Sequence, residues 1–252
     1  MKIILIGYGK MGKLLEIKAK ERGHHIIKVL NNPNWSKEDL LGSDVAIDFS
    51  NPFSAVENIH KSFKIGVPII VGTTGWYDQI EKVKSWCNDY NGSILSATNF
   101  SLGIHVFFEV NKQLSKLMNN QKSYTTTIKE THHKEKIDSP SGTAITTAEI
   151  ILSELDRYNQ WNNLESEAKD SITIISKRET KVPGTHEVVY ENNIDELTIS
   201  HRAKNREGFA TGAIVAAEFI LGKKGFYTLK DTLQCWHDTV QAIMFKVVAL
   251  VV

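Results

Sequence analysis

Cysteine is nearly absent from this chain. Cys87 and Cys235 are far apart and lack the spacing of a metal site, which argues against a disulfide scaffold and a cysteine-ligated zinc module. Each is expected to be a buried apolar side chain. A dominant charge is missing too. Lys and Arg number 30 against 29 Asp and Glu, a net +1, so no global field draws nucleic acid or a membrane surface. Any anion must be recognised locally. Long hydrophobic runs are also lacking. The apolar stretch 242–252 falls short of the ~20 residues that span a bilayer, and is expected to be a buried helix or strand or an oligomer contact. Met1–Gly7 is too short for a secretory signal, so the expected compartment is the cytoplasm. No internal repeat and no low-complexity linker interrupts the chain. What remains is ordinary: 252 residues, 41% hydrophobic and 23% charged, enough for two modest domains or one large one.

Short apolar runs alternate with helical periodicity over the first hundred or so residues. Strands are expected at Lys2–Ile6, His25–Leu30, Val45–Phe49, Val67–Val71 and Ile94–Ala97. Helices are expected over Met11–Arg22, from Asn51-Pro52 to about Phe63, and over Tyr77–Tyr90. Asn51 suits an N-cap and Pro52 the first helical position. Such alternation implies parallel βαβ units with helices on both faces. After Leu102-Gly103 the pattern changes. A long helix over Ile104–Met118 leads into strand-like segments at Tyr124–Glu130, Ile172–Lys177, Glu187–Tyr190 and Leu197–Ser200. Asn192-Asn193 suits a hairpin turn between the last two. A helix opened by Ser141-Gly142-Thr143 runs to about Leu155, and an alanine-rich helix covers Phe209–Leu221. The second region is therefore α+β on an open mixed or antiparallel sheet.

Gly7-Tyr8-Gly9-Lys10-Met11-Gly12 reads G-x-G-x-x-G between the first strand and the first helix. The first glycine allows a tight turn, the second lets a pyrophosphate approach the backbone, and the third lets helix and strand pack closely. The helix start adds N–H groups and partial positive charge. A Rossmann-like dinucleotide site is expected. The second strand ends in Asn31-Asn32, where an acidic residue would favour NAD and an arginine NADP. Asparagine can bond a ribose hydroxyl without repelling a phosphate, so NADH and NADPH both stay open. Gly72-Thr73-Thr74-Gly75 and Ala97-Thr98-Asn99-Phe100 follow the fourth and fifth strands and reach the same sheet edge.

The densest chemistry lies in Glu130-Thr131-His132-His133-Lys134-Glu135-Lys136 and Ser139-Pro140-Ser141-Gly142-Thr143. Lysine supplies point charge, a helix start holds a carboxylate, and histidine releases a proton near neutral pH. Metal is disfavoured, because Lys134 and Lys136 oppose a cation and no third ligand is evident. The cluster suits a small dicarboxylate.

This stretch resembles the E-x-H-H-x-x-K-x-D-x-P-S-G-T-A signature of the 4-hydroxy-tetrahydrodipicolinate (dihydrodipicolinate) reductases of lysine and diaminopimelate biosynthesis. Further matches are the glycine loop, Asp48-Phe49-Ser50, Gly72 to Gly75, Asn99 to Gly103, Val182-Pro183-Gly184-Thr185-His186, and His201-Arg202-Ala203 through Arg206 to Phe209-Ala210. They run in order from residue 1 to about 233. The resemblance implies His132 as proton donor and Lys136 as a second acid/base group that also contacts substrate. It implies His133, Gly142 and Thr143, with Ser141 at the same helix start, as carboxylate binders. Gly7, Tyr8, Gly9, Lys10, Met11, Gly12, Gly72, Thr73, Thr74, Ala97, Thr98, Asn99 and Phe100 become the nicotinamide cofactor sites, and Asn31, which stands where the usual carboxylate is missing, is added to them from its place at the end of the second strand. Residues 1–103 with 209–252 are then the dinucleotide domain, and 104–208 the substrate and oligomerisation domain of a homotetramer. Two other readings compete: another NAD(P) dehydrogenase of amino-acid metabolism, and a non-catalytic dinucleotide sensor.

Overall fold

A computed structural model of the chain describes residues 1–32, 34–134, 136, 138–163, 170–180 and 182–232. The readings of Cys235 and of the apolar stretch 242–252 lie outside these residues.

Strands β1 (Lys2–Ile6), β2 (His25–Leu30), β3 (Val45–Asp48), β4 (Ile69–Val71) and β5 (Ser93–Ser96) alternate with helices α1 (Lys10–Glu21), α2 (Pro52–Ile65) and α3 (Ile80–Asp89). Then come α4 (Leu102–Met118), β6 (Thr125–His133), α5 (Gly142–Leu152), β7 (Gln160–Asn162), β8 (Ser171–Glu179), β9 (Gly184–Glu191) and β10 (Glu196–Ala203). Helix α6 (Glu207–Ile220) and β11 (Gly225–Tyr227) follow. Contacts divide the chain into two units: Met1–Ser101 with the segment from Glu207, and Leu102–Arg206.

The first unit is a parallel sheet in the order β11-β5-β4-β3-β1-β2. Its central strands are buried on both faces, as their continuous apolar runs require: Ile3, Ile4, Leu5, Ala46, Ile47, Ile69 and Ile70 have no exposed surface. Helix α2 begins as its sequence dictates. The Asn51 side chain accepts hydrogen bonds from the Phe53 and Ser54 N–H groups, Pro52 stands at the first turn, and Gly66 ends the helix at φ 73°. Helix α6 belongs to this unit. Glu218 on it pairs with Arg22 at 2.7 Å and His24 at 2.8 Å. A side chain at Gly212 would lie 1.7 Å from the Phe100 carbonyl oxygen, so only glycine allows that approach. Strand order reverses between β1 and β3, which opens a crevice at their carboxyl ends.

The second unit is a mixed sheet in the order β10-β9-β6-β8-β7. β6 runs antiparallel to β9 and parallel to β8. Ile128, Ile174, Val188 and Tyr190 face a core completed by Ala148 and Ile151 of α5 and by Ile104 and Phe107 of α4. Each large side chain so buried contributes about 1.5–3 kcal/mol.

The elements depart from the sequence reading in instructive places. β6 does not stop at Glu130 but runs to His133. The hairpin between β9 and β10 is longer than Asn192-Asn193. Asn192 Oδ1 accepts from the Ile194 and Asp195 N–H groups and so organises a wider loop. The helix expected from Tyr77 begins as a 3-10 turn at Tyr77–Gln79. β7 and β11, three residues each, are too short to show a period in the sequence.

Candidate active site

The glycine loop sits at the crevice of the first unit, and its three glycines meet three different surroundings. Gly7 adopts φ +88°, and a Cβ there would lie 2.4 Å from the Phe49 carbonyl oxygen. A Cβ on Gly12 would lie 2.5 Å from the Gly7 carbonyl oxygen, whereas one on Gly9 would meet nothing within 4 Å. Gly7 and Gly12 are thus required by packing, and Gly9 leaves a space open over the backbone. Gly9 also caps α1 without a side-chain hydrogen bond, and no acidic residue stands in the first turn. That is the arrangement a pyrophosphate needs.

A cavity of about 300 Å³ adjoins this loop, lined by Tyr8, Gly9, Asn31, Asn32, Trp35, Asn51 and neighbouring residues, with no charged side chain among them. Tyr8 N–H donates to Asn31 Oδ1 at 3.1 Å, which fixes the end of β2 against the loop. Asp48 anchors the floor. It is wholly buried and accepts from Ser50 N–H (2.9 Å), Ser50 Oγ (2.7 Å), Thr73 Oγ1 (2.6 Å) and Asn58 Nδ2 (2.7 Å). Burial raises its pKa against the pull of those hydrogen bonds. The loops after β3 and β4 are thereby tied to one carboxyl group. Thr73 spends its hydroxyl on this anchor, while Thr74 is exposed. Gly72 lies against the Phe49 ring, where a Cβ would come within 2.1 Å. Ala97 N–H donates to the Val71 carbonyl at 3.3 Å. Thr98 is exposed, Asn99 Oδ1 accepts from Ser101 N–H at 2.8 Å, and Phe100 is buried against Phe49. Lys10 is exposed and Met11 half-buried.

In the second unit, the strand extension decides the geometry. Residues alternate across a strand, so His132 shares the buried face with Glu130, and His133 turns to the other face. Register brings partners that lie far away in sequence: Glu130 stands opposite Ser176 on β8 and His186 on β9, and His132 opposite Arg178. Glu130 Oε1 accepts from Ser141 N–H at 3.0 Å and from Ser176 Oγ at 2.7 Å, with Arg178 Nη1 at 3.7 Å. Its Oε2 lies 3.4 Å from His132 Nδ1 and 3.7 Å from His186 Nε2. The two imidazole rings meet edge to face at 4.9 Å. Burial works to raise the Glu130 pKa, but the His132 ring 3.4 Å away and the hydrogen bonds from Ser141 and Ser176 outweigh it and hold the carboxylate ionised. Burial, then the charge of His132, pushes His186 down to about 3, so His186 is neutral.

The other expected residues fall as follows. Ser141 is buried. Its Oγ accepts from Ala144 N–H as the N-cap of α5 and lies 3.2 Å from His186 Nε2, and its own N–H goes to Glu130. Its N–H and its hydroxyl are therefore both engaged inside the protein. Gly142 and Thr143 form the first turn, where helical N–H groups have no intrahelical partner. Lys136 Nζ pairs with Asp138 at 2.8 Å, and Lys134 is exposed. Sequence reasoning left Glu130, Ser176, Arg178 and His186 without a role. Glu130 was within reach: a strand period carried past Thr131 puts it beside His132. The third metal-ligating group that the sequence seemed to lack does exist. Glu130, His132 and His186 offer ligand atoms within 4.8 Å of one another. The Arg178 guanidinium, 3.7 Å from the same carboxylate, opposes a cation there.

Two family models match this chain in tandem: the N-terminal part of dihydrodipicolinate reductase over residues 1–100 and its C-terminal part over 103–233. The chain belongs to the dihydrodipicolinate reductase family. A 4-hydroxy-tetrahydrodipicolinate reductase of Christiangramia forsetii is 46% identical over 235 residues, covering 92% of this chain and 98% of that protein. One from Methanopyrus kandleri is 32% identical over 87% of this chain and 80% of its own length. The structure of a dipicolinate-bound dihydrodipicolinate reductase from Paenisporosarcina sp. TG-14 shares the fold, with a TM-score of 0.68 at 22% identity over 92% of this chain and 99% of that one. The chain is thus an NAD(P)H-dependent oxidoreductase of the lysine and diaminopimelate route, which displaces the reading of it as a non-catalytic dinucleotide sensor. No helix among the described residues is long and apolar enough to cross a membrane.

Proposed function

We propose that this protein reduces 4-hydroxy-tetrahydrodipicolinate to tetrahydrodipicolinate, with His132 as the proton donor and Lys136 as a second acid/base group. The observation that carries the reading is His132 held on a buried carboxylate beside the start of α5. A reduced nicotinamide, when bound, supplies the hydride. The residues that would hold its pyrophosphate are Gly7, Gly9 and Gly12, with the first turn of α1 at Lys10 and Met11. The uncharged cavity beside them would take the ribose. Asn31 spends its oxygen on Tyr8 N–H and offers the ribose its amide NH2, a donor that suits hydroxyl and phosphate oxygens alike. Both NADH and NADPH are therefore expected to serve. Gly72, Thr73 and Thr74, and Ala97 to Phe100, frame the same crevice. Of these, Thr73 and Phe100 act by fixing the loops.

The substrate is a small dicarboxylate. Gly142 and Thr143 N–H groups, His133 and Lys136 hold its carboxylates. Ser141 shapes this helix start as its cap. The ring gains a hydride and a proton, and its 4-hydroxyl leaves as water. His132 gives the proton, a step typically worth ~10²–10⁴-fold in rate. Residues 104–208 form the substrate domain and carry the sheet through which a homotetramer would assemble. Support for that comes from edge strand β10, whose Leu197 is 41% exposed. The compartment is the cytoplasm.

Steady-state kinetics of His132→Gln and Lys136→Ala test the assignment. His132→Gln should lower kcat by about 10²-fold or more, in line with loss of a general acid. Lys136→Ala should lower kcat and raise the substrate KM. A His132→Gln rate within a few-fold of wild type would remove the donor role, and an unchanged KM in Lys136→Ala would remove the carboxylate contact.

A further inference from the structure

We infer that Glu130 is the positioning residue of the proton donor: it keeps a proton on His132 Nδ1 and so leaves Nε2 as the atom that meets substrate. The inference rests on the reading of His132 as donor. Three observations carry it.

First, the two oxygens of Glu130 are differently employed. Oε1 accepts from the Ser141 backbone N–H and from Ser176 Oγ. Oε2 and His132 Nδ1 are both buried, neither has a hydrogen-bond partner of good geometry, and they face each other at 3.4 Å. Buried polar atoms do not stay unpaired without cause. Catalytic hydrogen bonds are often long or poorly aligned in a free enzyme and tighten when substrate arrives. Secondly, the nearest competitor for Oε2 is engaged elsewhere. His186 Nε2 is farther, at 3.7 Å, and lies 3.2 Å from Ser141 Oγ. Arg178, also at 3.7 Å, is on the other oxygen. Thirdly, the other ring nitrogen lies against a position that carries no side chain. A Cβ at residue 184 would stand 3.1 Å from His132 Nε2, and the chain has glycine there.

The chemistry follows from proton count. An imidazolium that gives up its Nε2 proton becomes a neutral ring with the remaining proton on Nδ1. A carboxylate at Nδ1 accepts a hydrogen bond before and after the transfer. In Glu130→Gln the Ser141 N–H, which can only donate, holds the amide oxygen at the Oε1 position. The amide NH2 then faces Nδ1 and donates to it. The neutral ring must carry its proton on Nε2, and releasing that proton would leave an imidazolate, so the acid is disabled with little change of shape.

The test combines kinetics with long-range ¹H–¹⁵N correlation of the histidine rings, His132 being assigned by its loss in His132→Gln. Wild-type neutral His132 should carry its proton on Nδ1, and Glu130→Gln should move it to Nε2. The same variant should lose about 10²–10⁴-fold in kcat, the range that general acid catalysis contributes, with the cofactor KM within about twofold. An Nε2 proton in the neutral wild-type ring overturns the inference without any variant, even if Glu130→Gln fails to fold. A Glu130→Gln kcat within about threefold of wild type, alongside an inactive His132→Gln, overturns it too while leaving the donor role intact. Should His132→Gln stay active, the donor reading fails, and the wild-type tautomer alone then decides whether Glu130 sets the ring.

Discussion

Gly9, the N-cap of α1, and Gly12, in its first turn, answer to different demands, which a pair of alanine substitutions separates. A Cβ at residue 9 meets nothing, and one at residue 12 meets a backbone oxygen at 2.5 Å. Gly9→Ala should therefore keep the melting temperature and lose cofactor affinity by about tenfold or more, since its methyl stands where the pyrophosphate approaches. Gly12→Ala should lower the melting temperature, because neither α1 nor the loop can move aside cheaply. Calorimetry with and without NADPH distinguishes the two. Equal melting temperatures for both variants would contradict the division of labour. The same attention to single atoms separates His132 from His133. Adjacent in sequence, they lie on opposite faces of β6, so they cannot chelate one ion together.

At the scale of elements, α5 is the one that holds the site together. Ser141 caps it, donates its N–H to Glu130 and touches His186. Ser141→Ala should cost about 0.5–2 kcal/mol in urea unfolding from the lost cap, and Ser141→Thr, which keeps the capping hydroxyl, should recover part of it. An alanine variant as stable as wild type would show that the cap carries no weight. The βαβ half of the fold was legible because apolar runs, an Asn-Pro helix start and a glycine loop each report locally. The signature run was legible as chemistry but not as shape. Its polar residues look like a loop, yet pairing with β8 and β9 draws them into a strand through His133. Ser176, Arg178 and His186 reach Glu130 only through that long-range register, which no local pattern encodes. β7 and β11 are set by the same kind of pairing.

For the whole molecule, the buried cluster ties stability to pH. His186 has its pKa pushed down to about 3 from an ordinary 6.5. Below 6.5 the unfolded chain binds a proton there that the folded chain refuses, so stability falls as pH drops through 6.5 and goes on falling to about 3. Glu130 is held low, so its contribution is present above the ordinary 4.5 and lost as pH falls below it. Between these values His186 acts without Glu130, with burial-depressed His60 and His201 adding the same sign. His186→Asn should flatten the loss of stability between pH 6.5 and 4.5 by about 1–3 kcal/mol in denaturant titrations. An unchanged slope would mean that His186 titrates normally.

The proposed function draws on the glycine crevice and the His132 cluster alike, and one assay addresses both. It follows the oxidation of NADH and of NADPH in the presence of freshly generated 4-hydroxy-tetrahydrodipicolinate. Substrate-dependent oxidation of both cofactors, lowered about 10²-fold or more in His132→Gln, is the predicted result. No substrate-dependent oxidation with either cofactor, by folded protein that still binds the cofactor, would contradict it.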